Sequence, residues 1–107
     1  MENKPKLSEC EEMIMSILWN NDEDLDLQSV TDQIRTKYGR EWKLQTVDTF
    51  MKRLQKKGYI NIYRVGRYSH YQPAVKLYDY RKQKFCEMKE LLLFDNTVAM
   101  SKFLRDM

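Results

Sequence analysis

The sequence predicts an α+β fold that is mainly α, a three-helix unit closed by a β-hairpin and extended by a C-terminal helical arm. Three observations carry that expectation. Apolar residues recur at helical spacing in three successive segments ahead of Gly58. Residues 59–73, YINIYRVGRYSHYQP, are instead β-branched and aromatic around a turn centred on Gly66. From Leu77 the helical period returns, in a chain of 107 residues that suffices for one compact domain and an arm.

Ser8 followed by Glu11 forms a capping box and opens the first helix, with Met13, Ile14, Ile17 and Leu18 expected inward. Asn20, Asn21 and Asp22 close it, and the acidic loop NNDEDLD follows. Asp26 caps a second helix with Leu27, Val30 and Ile34 inward, and Gly39 takes its left-handed exit position. After REWK comes a third helix, 44–57, whose Val47, Phe50, Met51 and Leu54 fall at i, i+3, i+4 and i+7. Arg64 and Arg67 flank the tip of the hairpin, and Pro73 ends its second strand. Three helices and then a hairpin is the order of a winged helix-turn-helix, here expected over residues 1–74.

Residues 75–107 read as a helical dimerisation region. Tyr78, Phe85, Met88 and Leu92 form a near-heptad stripe widened by Leu91, and Asp95-Asn96 caps a last helix carrying Met100, Phe103, Leu104 and Met107. The chain is too short to cover these stripes itself, so a second copy is their expected cover.

Composition narrows the partners. Hydrophobic residues make up 42% and charged residues 33%, so a modest core sits beneath a heavily charged surface. No apolar run approaches the ~18 residues of a membrane span, and the N-terminal MENKPKLSECEE lacks a signal peptide's apolar core. Cys10 and Cys86 stand alone, outside any metal-binding spacing, and read as reduced thiols in a cytoplasmic protein. The net charge of +3 conceals a sharp segregation. Residues 1–34 hold 2 basic and 9 acidic side chains; residues 35–84 hold 14 basic and 3 acidic; residues 85–107 hold 3 and 4. A central block of +11 between acidic flanks is the electrostatic footprint of a phosphate-backbone partner.

On a helical wheel the third helix turns Gln45, Thr49, Lys52 and Lys56 directly away from its apolar stripe, with Thr46 and Arg53 to one side. Laid in a major groove, Gln45 suits adenine, Thr46 or Thr49 a thymine methyl, and Arg53 guanine or a phosphate. Lys52, Lys56, Arg64 and Arg67 are expected on phosphates. Asp48, four residues before Lys52, suits an intrahelical ion pair and the helix dipole, or acceptance from cytosine.

The segments 7-LSECEEMIMSILW-19, 42-WKLQTVDTFMKRLQKKGYI-60, 66-GRYSHYQP-73 and the YDYRKQKF helix resemble the penicillinase-repressor family. These are winged-helix repressors of β-lactamase and methicillin-resistance genes, with a copper-responsive cousin. The most specific part of the likeness is TVxTxxxRLxxKG, residues 46–58. The resemblance implies a dimeric repressor on a pseudo-palindromic double-stranded operator, paired through its C-terminal helices and open to inactivation by a sensor protease. It implies Gln45, Thr46, Thr49 and Arg53 at the DNA, the set the wheel selects. Lys43 and Leu44 replace the family's frequent Ser-Pro, so the third helix lacks that favourable start. The sequence given stops at Asp106-Met107, before the further leucine-rich helix the family usually adds, so either the dimer interface is smaller or the sequence is cut short of that helix. The cousin's C-terminal cysteine cluster is absent, which argues against metal sensing.

Enzyme chemistry finds no inventory. There is a single histidine, His70, alternating with Tyr68 and Gln72 in a strand; no Gly-rich phosphate loop occurs, and no nucleophile sits beside a base in a motif. No metal or cofactor is expected. The alternative function is a winged-helix regulator that senses a small molecule between wing and tail, near Tyr71, Tyr78, Tyr80, Phe85 and Met88.

Overall fold

A computed structural model of the chain describes residues 4–92 and Arg105. The elements run α1 (Glu9–Trp19), β1 (Leu25–Asp26), α2 (Leu27–Tyr38), α3 (Leu44–Lys56), β2 (Ile60–Val65), β3 (Tyr68–Pro73) and α4 (Leu77–Leu92). The chain divides into two compact units, residues 1–76 and 77–107. The first is a winged helix-turn-helix, α+β and mainly helical among the described residues.

Local chemistry sets the helix ends. Ser8 Oγ accepts from the Glu11 amide at 3.2 Å while Glu11 Oε1 accepts from the Ser8 amide at 2.8 Å, completing the capping box. Asn20 and Asn21 turn their side-chain amides back onto the carbonyls of Ser16 and Ile17, and so satisfy the end of α1. Asp26 accepts from the Ser29 amide at 2.8 Å, and Gly39 leaves α2 at φ +67°, a conformation that costs a side chain dearly. Lys43 starts α3 with no side-chain cap, the weak start that its sequence implied.

The core of this unit is Ile14, Met15, Ile17 and Leu18 from α1, Val30 and Ile34 from α2, Val47, Met51 and Leu54 from α3, Tyr59 just ahead of the hairpin, and Ile60 and Tyr71 from the sheet. Three expected core positions shift. Met15 replaces Met13, which is half-buried, because the inward arc of α1 also takes in Glu11 and is rotated toward it. Thr31 is buried where Leu27 was expected; its hydroxyl donates to the Leu27 carbonyl at 2.8 Å, so it enters the core satisfied. Phe50 stays half-exposed, its ring 5.2 Å from that of Trp42.

β2 and β3 form the hairpin, from Ile60 opposite Pro73 to Val65 opposite Tyr68, around the two-residue loop Gly66-Arg67. Gly66 supplies the φ of +61° that such a tight loop requires. The acidic loop contributes a strand the sequence did not signal: Leu25 pairs with Tyr71 and Asp26 with His70, giving the antiparallel order β1-β3-β2. Two residues are too few to show a period of two.

In the second unit, α4 begins with Tyr78 68% exposed, Tyr80 buried, and Phe85 and Met88 half-buried. The side chains of Leu91 and Leu92, the Asp95-Asn96 cap and the helix of Met100, Phe103, Leu104 and Met107 lie outside the described residues.

Candidate nucleic-acid interface

α3 has two chemically distinct sides. Val47, Met51 and Leu54 have no exposed surface, while Gln45, Thr46, Thr49, Lys52, Arg53 and Lys56 are all exposed on the other side. Full burial of one stripe fixes the rotation of the helix about its own axis, so the polar face is presented rather than merely tolerated. Thr49 Oγ1 donates back to the Gln45 carbonyl at 2.9 Å, so its hydroxyl is already engaged with the helix backbone. The Arg53 guanidinium lies 5.6 Å from the Phe50 ring centroid, so the half-exposed ring braces this long side chain. Lys52 and Asp48 are joined at 3.0 Å, the intrahelical pair that their spacing predicted. Lys52, expected on a phosphate, therefore divides its charge with a neighbour.

At the wing, Arg64 and Arg67 are both exposed, and Arg64 Nη2 donates to the Arg67 carbonyl at 2.9 Å. One arginine thus stiffens the tip that carries the other. Below the tip, Tyr63 donates its hydroxyl to Asp24 and stacks on His70, with ring centroids 5.7 Å apart. The Asp24 acceptor holds the Tyr63 phenol above its ordinary pKa. His70 accordingly has a structural place in the sheet.

Sequence reasoning passed over Lys57. Its ammonium donates to Glu11 Oε1 at 2.7 Å and to the Lys6 carbonyl at 2.8 Å, joining the exit of α3 to the start of α1. Tyr59 donates to the Pro5 carbonyl at 2.9 Å, so residues 5 and 6 are strapped beside the end of α3. Burial pushes the Glu11 carboxyl up, but the Lys57 ammonium and the Ser8 amide and hydroxyl outweigh it and hold the pKa below its ordinary value. Its second oxygen, Oε2, is buried without a hydrogen-bond partner. The only sequence signal for this pair was the capping-box glutamate, whose wheel position faces the core.

Among the described residues no group of His, Cys, Asp and Glu is arranged to hold a metal, and no helix is long and apolar enough to cross a membrane.

The model of the penicillinase repressor family matches residues 7–106. The chain belongs to that family. It is a family of DNA-binding regulators and not of enzymes. Two solved structures of the repressor BlaI are similar to this chain, each at 28% identity over 75% of this chain and 94% of the other. One is the DNA-binding domain in solution, at a TM-score of 0.62. The other, at 0.60, is the Bacillus licheniformis BlaI monomeric form in complex with the blaP half-operator. The Helicobacter pylori ferric uptake regulator Fur shares the fold, with a TM-score of 0.58 at 24% identity over 66% of this chain and 47% of that one. No curated protein matches the sequence.

Proposed function

We propose that this penicillinase-repressor family member binds a pseudo-palindromic operator as a homodimer and silences genes of the β-lactamase or antibiotic-resistance type. The polar, cationic face of α3 opposite a fully buried stripe carries the reading. Gln45, Thr46, Thr49 and Arg53 meet base edges, while Lys52, Lys56, Arg64 and Arg67 hold phosphates. The BlaI monomer bound to half an operator supports one copy of this chain per half-site.

Two α3 helices then lie in successive major grooves, roughly 34–36 Å apart along the duplex. The C-terminal region pairs the copies through Tyr78, Phe85, Met88, Leu91, Leu92, Met100, Phe103 and Leu104. Bound in this way across a promoter, the dimer excludes polymerase. Cleavage by a sensor protease is the route of release that family membership favours. Such a repressor works in the cytoplasm, where its operator is.

A gel shift against the region upstream of the protein's own gene, with random duplex as competitor, tests the reading. A retarded complex that survives an excess of random duplex is expected. Equal competition by both duplexes would remove sequence-specific repression.

A further inference from the structure

Between α3, the start of α2 and the wing lies a cavity of about 270 Å³, walled by Gln28, Leu44, Asp48, Arg67, Tyr68 and Ser69. Its walls are of two kinds. Leu44 and Tyr68 are 42% and 63% exposed, so apolar side-chain surface is open on this side of the hollow. Gln28, Ser69 and Arg67 add hydrogen-bond donors, and Arg67 adds a positive charge. The cavity is smaller than the ~300–1,000 Å³ that encloses a drug-sized ligand, and two of its walls are largely open to solvent. A shallow seat of this kind suits one unit of a long polymer better than a small molecule that must be surrounded.

We propose that this hollow seats one deoxyribose-phosphate of the operator strand that passes between α3 and the wing; the proposal rests on the operator-binding reading above. The sugar's carbon-bound faces meet Leu44 and Tyr68, and its phosphate lies toward Arg67, Ser69 and Gln28. Asp48, on the α3 wall, is neutralised in part by Lys52 at 3.0 Å, and its remaining charge turns the phosphate toward the wing. The wing tip is ready for this contact, since Arg64 already braces the Arg67 backbone. The seat adds two apolar residues and the first turn of α2 to an interface otherwise read as basic and polar. Its contribution is independent of sequence, because every nucleotide carries the same sugar and phosphate.

Apolar and ionic backbone contacts separate by salt. Replacing a phosphate-bound cation lowers the slope of log K against log salt by about one, whereas losing an apolar contact leaves the slope alone. Fluorescence anisotropy of the whole chain, with the own-promoter duplex and a random duplex over a salt series, therefore tests the seat. Tyr68→Ala and Leu44→Ala are each expected to weaken both duplexes about five-fold with the slope unchanged. Arg67→Ala is expected to weaken both and lower the slope. Thermal melts of the variants confirm that these exposed truncations leave the fold intact. Wild-type affinity in Tyr68→Ala and Leu44→Ala, while the native chain binds duplex, overturns the seat and leaves operator binding standing. A loss confined to the promoter duplex overturns it in favour of base contact. If the native chain binds no duplex, operator binding fails and the seat fails with it.

Discussion

Arg53 and Lys56 stand one turn apart on α3, yet their truncations should read out differently. Arg53 is braced on Phe50 and is assigned to bases, so Arg53→Ala should cost about 1–3 kcal/mol on the cognate operator and spare random DNA. Equal losses on both duplexes in a filter-binding titration would take Arg53 off the bases. Lys56→Ala should weaken every duplex alike and lower the salt slope by about one; an unaltered slope would place no phosphate at Lys56. Glu11 belongs to stability instead. Folding lowers its pKa below the ordinary 4.5, so protons favour the unfolded chain. Its contribution is present at neutral pH and is lost as pH falls from about 4.5 through the lower folded value. Glu11→Gln should therefore cost about 1–3 kcal/mol at pH 7 in urea titrations, with the gap to wild type closing in acid. A gap that stays constant with pH would show that shape, not charge, ties Glu11 to Lys57.

At the scale of elements, helices proved legible and the smallest strand did not. The stripes of α1, α2 and α3 were visible as repeats of three and four, and Ser8, Asp26 and Gly39 marked their ends through side-chain chemistry that local sequence encodes. β1 left no trace, because its identity comes from the partner strand β3 and not from Leu25 and Asp26 themselves. Asp26 thus ends a strand and caps a helix at once. Its carboxyl is held below its ordinary range first by the Ser29 amide, then by the Ser29 side chain, with a smaller contribution from His70. Asp26→Ala should cost about 1 kcal/mol in thermal or chemical melts, as a lost helix cap does. No change would mean that the end of α2 is held by its packing alone. The site was legible to a similar depth. The outward residues of α3 followed from the wheel, whereas the hollow beside Leu44 and Tyr68 did not, since it arises where α2, α3 and the wing converge.

The charge of the whole molecule is distributed with direction. Residues 35–84 carry +11 on the segment that holds α3 and the wing, while residues 1–34 carry a net −7. A field of this form orients the chain before contact, so association with DNA should slow steeply as salt rises. Stopped-flow mixing with duplex at two ionic strengths reads that directly; an on-rate indifferent to salt would remove steering. Pairing is a question at the same scale. The 13.1 kDa chain should sediment at twice that mass at the concentrations that retard the operator. A single mass under those conditions would remove the homodimer and leave one copy on each half-site.

Trp42 offers a practical return. The chain has two tryptophans, and this one lies half-buried against Phe50 at the threshold of α3. Trp19, in contrast, is anchored by its indole N–H to the Val75 carbonyl at 2.8 Å. Substituting Trp19 by Phe would leave a single-tryptophan protein whose indole emission, excited beyond the tyrosine band, reports events beside α3 with no dye attached to the surface under study.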